Sequence, residues 1–215
     1  PADAGECSAA GVALGDATTA DNCAVDATTN DAPASFPVGT TTVIWTVTDI
    51  HGNSATASQD VTVEDTEAPS ITAPDAVTVP ADAGECSAAG VALGDATTAD
   101  NCTVDATTND APASFPVGTT TVIWTVTDIH GNSATASQDV TVEDTQDPTI
   151  TAPDAVTVPA DAGSCEAAGV ALGDATTADN CAVDATTNDA PASFPVGTTT
   201  VIWTVTDIHG NSATA

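Results

Sequence analysis

A chain of 215 residues has room for one large domain or for two to three small ones, and here 31 aspartates and glutamates stand with no lysine or arginine, a formal charge of −31. Nucleic acids and anionic membrane surfaces are both gripped through basic side chains, so neither is a partner. No apolar run approaches the roughly 18 to 20 residues of a membrane helix, which excludes membrane insertion by a helix.

Self-repulsion on this scale opposes compaction unless salt or bound divalent ions screen it. Few aromatics, 3% of the chain, would suit a disordered polypeptide, but 41% hydrophobic residues arranged with a strand period argue for folded domains.

The chain repeats itself. Trp45, Trp124 and Trp203 occupy the same stretch, FPVGTTTVIWTVTDIHGNSATA, at a constant spacing of 79 residues. That period suits a small β-sandwich better than a solenoid, whose units are typically about 20 to 50 residues. The proline-containing segments DTEAPSITAP and DTQDPTITAP read as linkers, which sets modules at 1–65, 66–144 and 145–215. The first copy lacks the opening strand that SITAPDAVTV supplies in the second, and the third lacks the closing SQDVTVED. A window on a longer chain accounts for this, and donation of a strand by a neighbouring subunit is the sharper alternative.

In the middle copy, Val77 and Val79 belong to a first strand, and Ala89, Val91 and Leu93 give a second alternating run ending at Gly94. Thr119 to Asp128 alternates with Val122, Trp124 and Val126 on one face and Thr121, Ile123, Thr125 and Thr127 on the other. A turn at Ile129-His130-Gly131-Asn132 leads to a strand whose inner face is Ala134, Ala136, Val140 and Val142, forming an antiparallel hairpin. No segment has helical spacing. The fold class is therefore all-β: tandem immunoglobulin-like β-sandwich modules with a 79-residue repeat.

One Phe and one Trp per module make a marginal core that needs a staple. The cysteines fall as Cys7 and Cys23, Cys86 and Cys102, Cys165 and Cys181, always 16 apart. Repeat symmetry favours one bridge inside each module, each contributing about 3 kcal/mol by loop entropy, with bridges between subunits as the rival. Persistent disulfides place the chain outside the cell.

Outward-facing Ile44, Ile123 and Ile202 recur at the same position in each copy and are candidate subunit contacts, the alternative being a second packed layer in the same sandwich.

His51, His130 and His209 sit in Gly-Asn turns with no nucleophile motif beside them, so they read as turn residues and the chain as no enzyme. The acidic groups are more telling. In an immunoglobulin-like topology the linker, the loop after the second strand and the last turn meet at one pole. For the second copy this gathers Glu64, Asp65, Glu67, Asp95, Asp100, Asn101, Asp128 and Asn132; for the third, Glu143, Asp144, Asp147, Asp174, Asp179, Asn180, Asp207 and Asn211. Calcium takes six to eight such oxygens, so one ion per junction is expected; ordinary solvated turns are the alternative. Asn101-Cys102-Thr103 is the single N-glycosylation sequon.

GECSAAGVAL, then ADNC, FPVGTTTVIWTVTD and GNSATASQDVTV, resembles the HYR (hyalin repeat) domain, an extracellular immunoglobulin-like module associated with adhesion. The family pattern carries two further cysteines where this chain has Ala73 with Ala136 and Ala152 with Ala215, consistent with joint loss of one bridge. The resemblance implies a secreted or cell-surface structural repeat that self-associates into a fibre or array, or meets a surface or matrix ligand; the alternative is a passive stalk displaying another domain.

Overall fold

The computed structural model describes residues 1–215 and contains strands, turns and loops only. The first copy supplies β1 (Ser8–Ala10), β2 (Val25–Asn30), β3 (Ser35–Pro37), β4 (Gly39–Asp49) and β5 (Ser54–Val63). The second supplies β6 (Ser70–Thr72), β7 (Val77–Pro80), β8 (Ser87–Ala89), β9 (Thr97–Ala99), β10 (Val104–Asn109), β11 (Ser114–Pro116), β12 (Gly118–Asp128) and β13 (Ser133–Glu143). In the third are β14 (Thr149–Thr151), β15 (Glu166–Ala168), β16 (Thr176–Ala178), β17 (Val183–Asn188), β18 (Ser193–Pro195), β19 (Trp203–Asp207) and β20 (Ser212–Thr214).

The second and third copies add the short pairs β6-β9 and β14-β16, and all three copies contain two sheets in common. One is a sheet around the long hairpin, in the order β2-β4-β5, then β10-β12-β13-β7, then β17-β19-β20. The other holds the short antiparallel pair β1-β3, β8-β11 or β15-β18. In the first copy they close on Ala9, Phe36, Val43 and Val63, with Val12, Leu14, Trp45 and Val61 packed around them. The chain divides into two compact units, one of Pro1–Pro74, Gly94–Asp110 and Ile123–Ser137, the other of Asp75–Leu93, Ala111–Val122 and Gln138–Ala215.

The expected alternation is present. Along β12, Val122, Trp124, Val126 and Asp128 are all buried, whereas Ile123 is 39% exposed. Ile44 and Ile202 are exposed likewise. On β13 the inner face runs Ala134, Ala136, Gln138, Val140 and Val142. Gln138 is a buried polar residue, and its amide donates to the carbonyls of Asp75 and Leu93 at 2.8 and 2.9 Å, so its desolvation is compensated.

Two strand expectations are corrected. The run Ala89, Val91, Leu93 stops at Ala89, because Gly90 takes a left-handed φ of 62° that turns the chain out of the sheet. The segment 70–79 is two strands, interrupted around Pro74: β6 pairs antiparallel with β9, and β7 lies parallel to β13 through Val77↔Val140 and Val79↔Val142.

The disulfide pairing is the larger correction. Bridges Cys7–Cys23, Cys86–Cys102 and Cys165–Cys181 are not formed; Cys7 bonds Cys102 and Cys86 bonds Cys181, each across 95 residues. Cys23 and Cys165 are free and exposed. The Asn101 amide donates to the carbonyl of Glu6, which holds the second copy's loop against the first copy's opening turn and leaves the Cys7 and Cys102 Cα atoms 4.7 Å apart. Separations of 4.4 to 6.8 Å are the usual bridging range. By loop entropy a bridge this long contributes about 4.7 kcal/mol, more than the roughly 3 kcal/mol of a short loop.

Phe115 is the single Phe of the middle copy and almost fully buried. Phe115→Ala is expected to cost about 3–5 kcal/mol in urea unfolding, while Ile123→Ala on the outer face stays within about 0.5 kcal/mol. Comparable losses for both would place Ile123 in the core.

Candidate functional site at the repeat junctions

The inner face of β12 ends on an aspartate. Asp128 is only 2% exposed, and the turn behind it meets its charge with neutral donors. Oδ1 accepts the backbone N–H groups of His130 and Asn132, both at 2.8 Å, and Oδ2 accepts the Asn132 amide at 2.7 Å. Burial pushes the Asp128 carboxyl up, but the Asn132 side chain and the N–H groups of Asn132, His130 and Gly131 outweigh it and hold the group below the ordinary value of 3.8. Asp207 is held down in the same way.

Asp65 arrives from the linker. Its side chain is fully buried, and Nδ1 of His130 lies 3.1 Å from its Oδ2. Oδ1 accepts from the Glu67 N–H at 3.1 Å and from the Asn101 amide at 3.2 Å, and the backbone carbonyl accepts from Asn132 at 3.3 Å.

Asp100 arrives from the loop. Its Oδ2 caps the N–H groups of Cys102 and Thr103 at 2.9 and 3.0 Å, while Oδ1 is buried without a hydrogen-bond partner. Asn101 Oδ1 is buried and partnerless too. One carboxylate oxygen from each of Asp65, Asp100 and Asp128 lies within 4.8 Å of the others.

The third copy reproduces the set with Asp144, Asp179 and Asp207. His209 Nδ1 lies 3.1 Å from Asp144, the Asn180 amide reaches the Glu85 carbonyl at 3.0 Å, and Asp179 Oδ1 is again a partnerless buried oxygen. The first junction lies wholly in the first compact unit and the second wholly in the other.

Of the residues named from sequence, Asp65, Asp100, Asn101, Asp128 and Asn132 converge at one junction and Asp144, Asp179, Asn180, Asp207 and Asn211 at the other. Glu64, Asp95, Glu143, Asp147 and Asp174 are exposed and outside the clusters. Glu67 instead receives the Gly5 N–H at 2.8 Å. At the second junction Gln146 takes that place, accepting from Gly84 and donating to the Asp82 carbonyl.

His130 and His209 were missed as site residues. An Asp two positions before each, at the buried phase of a strand, was the available signal. The sequon nitrogen of Asn101 is engaged by Glu6 and Asp65, so the folded junction does not offer it for glycosylation.

Three oxygens within 4.8 Å of one another fit part of a calcium shell, since ligands at about 2.4 Å cannot lie more than about 4.8 Å apart. The same clusters include Cys102 or Cys181 with a histidine, but those sulfurs are spent in disulfides.

The first copy offers the turn for titration apart from the clusters. The Asn53 amide, ahead of the N–H groups of Asn53, His51 and Gly52, holds the Asp49 carboxyl below 3.8. A lowered carboxyl stabilises the fold fully above its unfolded value, and that contribution disappears as pH falls through the folded value. The hairpin turn should therefore loosen below about pH 4. In Asn53→Ala, NMR titration should show Asp49 moving up toward its ordinary value; an unchanged titration would remove Asn53 as the cause.

The HYR domain profile matches residues 8–63, 64–142 and 143–215. Hyalin of Strongylocentrotus purpuratus is 33% identical over 190 residues, 83% of this chain and 16% of that protein. Hyalin of Lytechinus variegatus is 33% identical over 195 residues, 86% of this chain and 36% of that protein. The chain thus spans a minor part of both relatives. Among solved structures, protocadherin gamma B7 cadherin domains 1–4 match at 13% identity and a TM-score of 0.35, covering 89% of this chain and 66% of that one. The human desmocollin-1 ectodomain matches at 10% identity and a TM-score of 0.25, covering 83% and 44%. Matched over nearly its whole length, the chain belongs to the HYR domain family, as three tandem copies.

Proposed function

We propose that this chain is a non-catalytic structural segment of an extracellular adhesive or filament-forming protein, with modules at 1–65, 66–144 and 145–215 joined through calcium-binding junctions. The observation that carries this reading is the carboxylate cluster at each junction, supplied by linker, loop and turn, with Asp100 or Asp179 contributing a buried oxygen that no protein donor meets. A hard cation takes up such oxygens and neutralises charge that no lysine or arginine can. Because Asp65 and Asp144 belong to linkers while the other ligands belong to the following copy's loop and turn, an ion there also fixes the linker's path. Membership of a family represented by hyalin supports the extracellular setting.

Calorimetric titration of the full chain should find two calcium ions, and calcium at a hundredfold excess over its Kd should stabilise by about 2.7 kcal/mol. Asp65→Asn should remove one ion and leave the other. No binding at millimolar calcium would leave the clusters as buried turn chemistry.

Self-association is assigned to the outer sheet face, where Ile44, Ile123 and Ile202 stand exposed at equivalent positions. Replacing all three by Asp should leave circular dichroism unchanged and convert assemblies to monomers in sedimentation velocity. A parent chain that is monomeric in calcium would favour the passive stalk.

A further inference from the structure

A polypeptide under tension extends only as far as its shortest covalent path, at about 3.4 Å per residue. In this chain that path does not follow the backbone. Cys7 is bonded to Cys102 and Cys86 to Cys181. Since Cys86 precedes Cys102, the two closed loops overlap, and residues 86–102 belong to both. From Pro1 the path runs to Cys7, crosses to Cys102, doubles back to Cys86, crosses to Cys181 and continues to Ala215. It holds only about 56 backbone links and reaches about 200 Å, against about 730 Å for the unbridged chain.

We propose that the overlapping bridges make the array a strain-limited tether, in which unfolding under load releases little hidden length until a thiol reductant opens the bridges. A middle repeat adds to the load path only the segment between its two cysteines, about one fifth of its residues. The hairpin β12–β13, with Trp124, lies outside that path. Pulling reverses through residues 86–102, which carry β8, β9 and Asp100, so the repeat can lose its sandwich without lengthening the tether much.

Release is ordinary exchange. A reductant thiolate attacks one sulfur and expels the other as thiolate; a second thiol resolves the mixed disulfide, leaving two cysteine thiols and one oxidised reductant per bridge. The inference goes beyond calcium binding and depends only on which sulfurs are joined.

Single-molecule force spectroscopy tests it, with handles at both ends of the full chain and a Cys23→Ser, Cys165→Ser background so that the free thiols cannot reshuffle the bridges. The fully stretched contour should be about 200 Å without reductant and about 730 Å with dithiothreitol, roughly a 3.6-fold gain. Adding Cys86→Ser together with Cys181→Ser should give about 410 Å. Contour length reads connectivity, so a variant that folds poorly still reports its bridges. The parent chain with all six cysteines supplies the contrary measurement: a bridge within each repeat would give about 580 Å without reductant. That length, or one indifferent to dithiothreitol, overturns the proposal.

Discussion

With no basic side chain other than three histidines, any carboxylate taken out of water has to be met by neutral donors, by a histidine or by a cation from solution. The rest of the molecule is arranged around that constraint. Asp128 sits at the buried end of β12 because the turn after it supplies two N–H groups and the Asn132 amide. Asp65 is buried because Glu67, Asn101 and His130 all point at it. These bonds join linker to loop to turn, so satisfying the charge and positioning one copy against the next are the same act. The loop so held is the one that carries Cys102 to Cys7, and the bridge sits beside the Asn101 contact on Glu6.

The sandwich was legible because its signals are local. A period of two along 119–128 needs nothing but one strand and one buried face, and Val122, Trp124 and Val126 lie where that period puts them. Carried one step further, the same period buries Asp128, and carried through β13 it buries Gln138; both positions were readable, but a polar residue at a core phase is easily taken for a turn or an edge. The strand expected through Val91 and Leu93 failed for another reason. Gly90 can enter a left-handed conformation that the apolar pattern does not reveal, and the chain leaves the sheet there.

Convergence of linker, loop and turn also followed from topology, but membership of the cluster did not. Asp95 and Glu64 are as acidic as Asp100 and Asp65, and what holds Asp100 inward is its cap on the N–H groups of Cys102 and Thr103, which composition does not reveal. His130 escaped notice because its partner stands 65 residues earlier in another copy.

The cysteine pairing was hidden by the repeat itself. When copies are nearly identical, a contact between Cys7 and Cys23 and one between Cys7 and Cys102 are indistinguishable in sequence, since both join the first cysteine of a copy to the second of some copy. Spacing favours the near partner because a short loop closes at lower entropic cost. That preference amounts to only (3/2)RT ln n, about 1.6 kcal/mol between the two loop lengths, which a few hydrogen bonds at the junction can outweigh. The Asn101 amide on Glu6 and Asp65, the Asn132 amide on Asp65 and the His130 contact supply them, and the far partner is the one held within reach. Near-identical tandem domains are also those most exposed to exchanging strands as they fold. The bridge between Cys7 and Cys102 and the contacts that seat Asp65 against the next copy lie at the same junction, so the covalent link and the polar network hold the same pair of neighbours together.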